Sequence, residues 1–247
     1  LPATEERFLS RTRRFVVILS RPESPENIGL VARAMKNTGF SRLRVVGKER
    51  FESASYRTAV HAGDVLDESS FYPDLVSATS DLHVIFAATA KHRKNFRALS
   101  LEEAVTRMFA SRDSARVGLL FGNERTGLTS AELRASNFLF SISQATPQPS
   151  YNLAAAVLLT LFHIFRRRPL PPLRLDPRDL PLSQAEQREC IRLILNKLER
   201  RGFVHSTNRE HAAEMIHDLL GRLTITARDR KLLLALFSEA AREFPAK

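Results

Sequence analysis

Apolar residues come in short dense runs through the first two-thirds of the chain. Phe15 to Leu19, Leu43 to Val46, Leu82 to Ala87, Val117 to Phe121 and Phe138 to Ile142 are each about the length of one strand. Runs that stay apolar on successive residues, rather than on alternate ones, belong to strands covered on both faces. Between them lie helical patterns at Asn27 to Thr38, Tyr72 to Ala78, Leu101 to Phe109 and Asn152 to Arg168. Asn27 is a candidate N-cap for the first, and Gly39 follows its last residue, where a left-handed conformation closes a helix. This alternation predicts an α/β fold, a parallel sheet with helices on both faces.

The pattern changes after residue 168. Pro169, Pro171, Pro172, Pro177 and Pro181 crowd one short stretch, and proline neither donates to nor continues a helix. Beyond it, Ile191, Ile194, Leu195 and Leu198 form one helical stripe, Met215, Ile216, Leu219 and Leu220 a second, and Leu232 to Phe237 a third. The expected organisation is an α/β domain over 1–168, a proline-rich linker over 169–182 and a small all-helical domain over 183–247.

Charge narrows the partners. The 247 residues carry a formal net charge of +11, and the sequence pI is about 10.6. Such an excess favours a polyanion, RNA or DNA or an acidic membrane surface. Residues 1–168 hold 24 basic and 16 acidic side chains, against 14 and 11 beyond, so the excess is concentrated on the α/β part. Local clusters stand at Arg11/Arg13/Arg14, Lys91/Arg93/Lys94/Arg97 and Arg166/Arg167/Arg168. A single cysteine, Cys190, excludes a disulfide within the chain and a cysteine-rich zinc site, and fits a reducing cytoplasm. The histidines show no metal-ligand spacing, so no metal is expected. No membrane span is expected either: the longest apolar stretch, Leu153 to Phe165, falls short of the ~20 residues a bilayer needs. No signal-peptide pattern is expected at the start.

Three polar constellations stand at the ends of predicted elements: Asn27-Ile28-Gly29 with Arg33, Gly122-Asn123-Glu124-Arg125-Thr126-Gly127, and Ser150-Tyr151-Asn152. Singly, each is also what a capped helix or a structural turn provides. The glycine loop is neither a P-loop nor a dinucleotide fingerprint, because the spacings of both are missing.

Together, in order and spacing, they resemble the three motifs of the SpoU (SPOUT) RNA 2′-O-ribose methyltransferases. The stretches concerned are Asn27 to Lys36, Leu120 to Leu128 and Ser150 to Val157, within the first 168 residues. The helical tail, with Thr224-x-x-Ala227-Arg228, resembles the extension of the TrmJ branch, which methylates tRNA at anticodon-loop position 32 on cytidine or uridine. Two departures stand out: Tyr151 replaces the usual leucine of Ser-Leu-Asn-Leu, and Thr89-Ala90-Lys91-His92 replaces Thr-Ser-x-Arg.

The resemblance implies a deep C-terminal trefoil knot, a homodimer, a tRNA partner and S-adenosyl-L-methionine as cofactor. It implies that Thr89, Ala90, Lys91, Gly122, Ile142, Pro149, Ser150 and Tyr151 bind the cofactor. Arg33, Asn27, Glu124, Ser150 and Asn152 fall in the catalytic constellation. Family accounts make Arg33 the base. A guanidinium with a pKa above about 12 is better suited to clamping a phosphate or stabilising an alkoxide. Two rivals remain: the same reaction on ribosomal RNA, and an RNA-binding protein without turnover.

Overall fold

The computed structural model describes residues 12–90, 97–110, 114–145, 150–167, 180–205, 207–221 and 225–236. In chain order the first elements are β1 (Phe15–Ser20), α1 (Pro25–Thr38), β2 (Leu43–Val46), α2 (Ser53–Ala59), α3 (Gly63–Asp67), β3 (Ser70–Tyr72) and α4 (Leu75–Ala78). There follow β4 (Val84–Ala88), β5 (Ala98–Ser100), α5 (Leu101–Ala110), β6 (Val117–Phe121), α6 (Ser130–Arg134), β7 (Phe138–Ser141) and α7 (Leu153–Arg166). The tail supplies α8 (Gln184–Arg200), α9 (Arg209–Gly221) and α10 (Ala227–Leu236).

The strands form one sheet in the order β3-β2-β1-β6-β4-β7-β5, and every pairing is parallel. Alternation along β1 explains why its first five residues are all apolar. Phe15, Val17 and Leu19 join a cluster with Val31 and Met35 of α1, Met108 of α5 and Val157, Leu161 and Ile164 of α7. Val16 and Ile18 point the other way, onto Ala78 of α4 and Leu133 of α6. Helices therefore cover both faces, as the sequence pattern predicts.

Two local readings are corrected. The N-cap of α1 is Ser24, not Asn27: Ser24 Oγ accepts from the Asn27 N–H at 3.1 Å, with Pro25 in the first turn. This leaves the Asn27 side chain free for another task. The segment from Tyr72 to Ala78 is not one helix. Phe71 and Tyr72 pair with Val45 and Val46 as strand, because Pro73 disfavours helical geometry at the residue before it. The helix starts only after Asp74, whose carboxylate caps the Ser77 N–H at 2.8 Å. The sequence pattern also missed α2, α3, α6, β3 and β5, each only three to seven residues long.

The tail helices carry their own apolar cluster, including Cys190, Ile191, Ile194, Leu195 and Leu220. They also dock on the α/β part. The first N–H groups of α8, which no intrahelical carbonyl can reach, donate outward: Gln184 N to Leu82 O at 2.7 Å and Ala185 N to Ser80 O at 3.3 Å. Gln184 Nε2 adds a bond to Asn137 Oδ1 at 2.9 Å. The docking point is the N-terminal end of β4. Most of the proline-rich stretch over 169–182, residues 169–179, lies outside the described residues.

Candidate active site

In a parallel sheet all strands deliver their next loops to one edge, and ligands bind in the crevice outside those carboxyl ends. Here the loops after β1, β4, β6 and β7 converge with the start of α7. The loops after β4, β6 and β7 and the start of α7 line an open cleft of about 870 Å³, solvent at its mouth included, whose wall includes Thr89, Ala90, Gly122, Ile142, Ser150 and Tyr151. Six of the eight expected cofactor-binding residues thus meet in one place. The other two, Lys91 and Pro149, lie outside the described residues. Thr89 is anchored by its N–H to Phe140 O at 2.9 Å. Tyr151 stands at the mouth, its hydroxyl donating to Ser143 O at 3.0 Å. Ser150 is exposed.

Gly122 is required by the wall itself. A Cβ there would lie 2.5 Å from both Gly127 C and Leu128 N, which are backbone atoms that no rotamer change can move. The loop between these residues closes on Asn123. Asn123 Oδ1 accepts from the N–H groups of Arg125 and Thr126, both at 3.0 Å, and Gly127 N donates to Asn123 O at 2.8 Å. Asn123 Nδ2 reaches across to Arg21 O at 2.8 Å.

A directed chain of polar groups ties the three constellations together. Glu124 accepts from Glu23 N at 2.8 Å, Ser24 N at 3.1 Å and Asn27 Nδ2 at 3.1 Å. Burial raises the Glu124 pKa, but the donors at Glu23, Asn27 and Ser24 outweigh it and hold the carboxyl below its ordinary value. An ionised carboxylate only accepts, so Asn27 must turn its amide N–H toward it. That leaves Asn27 Oδ1 to accept from Asn152 Nδ2 at 2.9 Å. Asn152 Oδ1 in turn caps α7 at Ala154 N, 2.9 Å away. Each amide orientation fixes the next. Asn27, Glu124 and Asn152 are brought together as expected.

Arg33 is not among them. It lies six residues beyond Asn27 on α1, about 9 Å along the axis, and is exposed. It is three residues past Leu30, which is 41% exposed, and so on the same outer side of the helix. Gly29, quoted above only as part of a motif, has a packing role: a Cβ would lie 2.1 Å from Ser55 O, so glycine lets α1 and α2 touch backbone to backbone.

Sequence reasoning missed Glu132, the third residue of α6. It is 8% exposed. It accepts from the Ser20 hydroxyl, from Arg21 Nη2 at 2.8 Å and from Thr129 N at 2.7 Å. Burial opposes ionisation, but the Ser20 and Thr129 bonds and Arg21 depress its pKa. It pins the exit of β1, where Arg21 has a φ of 50°, just before the loop that feeds Glu124. The signal was the capping spacing Thr129-x-x-Glu132, which marks a helix start but gives no hint of the contact with β1.

A parallel α/β sheet with a glycine-walled cleft at the strand exits, backed by a carboxylate–amide chain, defines a binder of a compact polar ligand. A family model described as the SpoU rRNA Methylase family matches residues 14–162, and the chain belongs to that family. It is 28% identical over 225 residues to a Methanocaldococcus jannaschii protein named tRNA (cytidine-2′-O-)-methyltransferase TrmJ, covering 90% of this chain and 97% of that one. It is 31% identical over 154 residues to Escherichia coli LasT, named as an uncharacterized tRNA/rRNA methyltransferase, covering 61% of this chain and 68% of that one. A crystal structure of TrmJ from Z. mobilis ZM4 superposes with a TM-score of 0.76 at 25% identity, covering 92% of this chain and 99% of that one.

Among the described residues no group of histidine, cysteine and carboxylate side chains could hold a metal ion. No described helix is long and apolar enough to cross a membrane.

Proposed function

We propose that this protein transfers a methyl group from S-adenosyl-L-methionine to a ribose 2′-hydroxyl of tRNA, at anticodon-loop position 32 on cytidine or uridine. The observation that carries the reading is the Glu124–Asn27–Asn152 chain standing behind the Gly122 cleft, which joins all three motifs of the family at one ligand-sized site. The cleft suits the cofactor: Gly122 lets the loop after β6 close tightly into its wall, and Ser150 and Tyr151 offer polar groups at the mouth. The cofactor, when bound, supplies an electrophilic methyl group on its sulfonium. What falls to the protein is positioning and electrostatics.

In this mechanism Glu124 stays ionised and orders the loop after β1, and Asn27 and Asn152 form the wall against which the ribose is set. Ser150 shapes the same pocket. Arg33 holds the phosphate next to the target ribose, and its positive charge favours the negative charge that develops on the attacking 2′-oxygen. A tRNA-modifying enzyme meets its substrate in the cytoplasm, and the reading includes that location. It also includes the trefoil knot. The sheet order supports it: β7 lies next to the β5 edge, whereas the helix that follows it in the chain, α7, packs against α1.

The helical tail, on this reading, is a separate domain that adds shape and phosphate contacts to a large RNA. The test is to incubate the protein with labelled S-adenosyl-L-methionine and tRNA and to map the modified nucleotide. Full-length protein is expected to label position 32. Protein cut within 168–179 is expected to keep its cofactor affinity but to label tRNA at least about tenfold more slowly, having lost phosphate contacts. Label only in ribosomal RNA, or binding without transfer, would establish one of the two rivals instead.

A homodimer is part of the same reading. Leu158, Phe162 and Phe165 of α7 are 43%, 44% and 45% exposed, with the two phenylalanine rings stacked at 6.3 Å. The exposed Leu30 lies on α1, the helix packed beside α7. A contiguous apolar face of this kind marks an interface. Light scattering across micromolar concentrations is expected to return twice the chain mass, and Phe162→Asp is expected to shift it to the monomer. Arg33 stands beside this face, so what its guanidinium meets depends on the dimer.

A further inference from the structure

A second cleft lies at the opposite edge of the sheet. It is lined by Arg13, Ser41, Arg42, Arg44, Glu68 and Ser70, together with Leu43. All of these precede or open β1, β2 and β3, so the cleft sits where strands begin, whereas the candidate active site sits where they end. Six residues of β1 separate the two edges by about 20 Å.

The chemistry of this cleft is one-sided. Arg44 is held in place: Nη1 and Nη2 bond Asp81 Oδ1 and Oδ2 at 2.6 Å and 2.9 Å, and Nη1 also reaches Ala78 O at 2.7 Å. Its guanidinium lies over the Tyr72 ring, 5.5 Å from the centroid. Asp81 is also bonded by Arg116 Nη1. One carboxylate thus serves two arginines and cannot neutralise a third. The side chains of Arg13 and Arg42, both exposed, form no ion pair or hydrogen bond with the described residues. Ser41 and Ser70 add exposed hydroxyls. Glu68 is the one acid in the lining.

The sequence cluster Arg11/Arg13/Arg14 divides here. Arg14 turns inward, its Nη2 donating to Met108 O at 2.6 Å, while Arg13 turns into the cleft. Arg13 and Arg42 share a concave site whose lining holds Glu68 as its one acid, so positive charge predominates there and a bound anion relieves the repulsion between them. The planar fork of each matches a phosphate.

We infer that this cleft is a docking site for the backbone phosphates of RNA, engaged by a part of the tRNA remote from the nucleotide being modified. Folded tRNA is far larger than the thickness of the sheet, so one molecule, or one lying across two subunits, reaches both edges. The inference rests on the tRNA reading above but not on the chemistry of the site. Its residues touch neither the Gly122 cleft nor the Glu124 chain.

The test uses the full-length protein, unmodified tRNA transcript and a salt series. Arg13→Ala/Arg42→Ala is expected to weaken tRNA binding at least about tenfold and to lower the slope of log affinity against log salt by about two, near one per lost phosphate contact. Cofactor affinity and the rate at saturating tRNA should stay unchanged, which places the loss in KM. Glu68→Gln is expected to tighten binding. A double variant with the wild-type salt slope overturns the proposal even if tRNA is methylated normally. Failure of the unchanged protein to bind tRNA overturns both this proposal and the functional reading.

Discussion

Arg33→Ala is expected to reduce methyl transfer to tRNA at least about a hundredfold, the usual cost of removing one preorganised charge from a reacting centre. Cofactor affinity should stay within about twofold of the original, because Arg33 is not among the residues that line the cleft. The variant should also fold normally. Arg33 is exposed, and alanine favours the helix at least as well as arginine. Single-turnover methyl transfer with saturating cofactor reads the first effect, and calorimetric titration the second. Arg33→Lys separates charge from geometry. Near-complete loss there assigns the role to the planar two-pronged grip on phosphate, and substantial recovery assigns it to charge alone. Transfer at the original rate in Arg33→Ala removes Arg33 from the mechanism and leaves Asn27, Glu124 and Asn152 to account for it.

The second large effect is expected from a single methyl group. Gly122→Ala places a Cβ 2.5 Å from Gly127 C and Leu128 N and 2.9 Å from the Leu128 side chain. Two of those three neighbours are backbone, so the loop after β6, which forms part of the cleft wall, must shift. Overpacking of this kind costs about 1–3 kcal/mol, and every 1.4 kcal/mol is about tenfold in affinity. S-adenosyl-L-methionine binding should therefore weaken by one to two orders of magnitude. The sheet should survive, since Gly122 follows the last residue of β6 and lies outside the paired register. Circular dichroism and thermal melting should show a folded protein with a modestly lowered Tm. Unchanged cofactor affinity would show that the ligand does not use this wall, and the site would have to be sought elsewhere along the strand exits.

A pH effect follows from the same geometry. Glu124 and Glu132 have depressed pKa values in the fold. Their contribution is present above the ordinary carboxylate pKa and is lost as pH falls through the depressed value. Near neutral pH both remain ionised, so the carboxylate–amide chain is intact where the enzyme is expected to work.

Much of the α/β frame was legible because burial on both faces leaves a mark on every residue of a strand. Phe15 to Leu19 and Val117 to Phe121 read as strands without any knowledge of their neighbours. The cap after Thr38 was equally local: Gly39 has a φ of 77°, which glycine adopts without penalty. The motifs at Asn27, Glu124 and Asn152 could be picked out by spacing, and the composition pointed to a polyanionic partner.

The tertiary structure decided what spacing cannot carry. Asn27 looked like a cap until Ser24 took that place, and only then was its amide available to face Glu124, 97 residues away in sequence. Glu132 drew no reading from the sequence, where its spacing from Thr129 marks only a helix start, yet its carboxylate is committed to Ser20 and Arg21 across more than a hundred positions. Arg13 and Arg14 were indistinguishable neighbours, one of which proved buried and the other exposed beside Arg42. Short elements such as β5 and α6 were invisible because three to five residues hold too few turns or pleats for a period to show. Secondary structure and caps depend on contacts between residues close in sequence, so the chain alone determines them. The direction of an amide, the counter-charge of an arginine and the wall of a cleft depend on partners that only folding brings near.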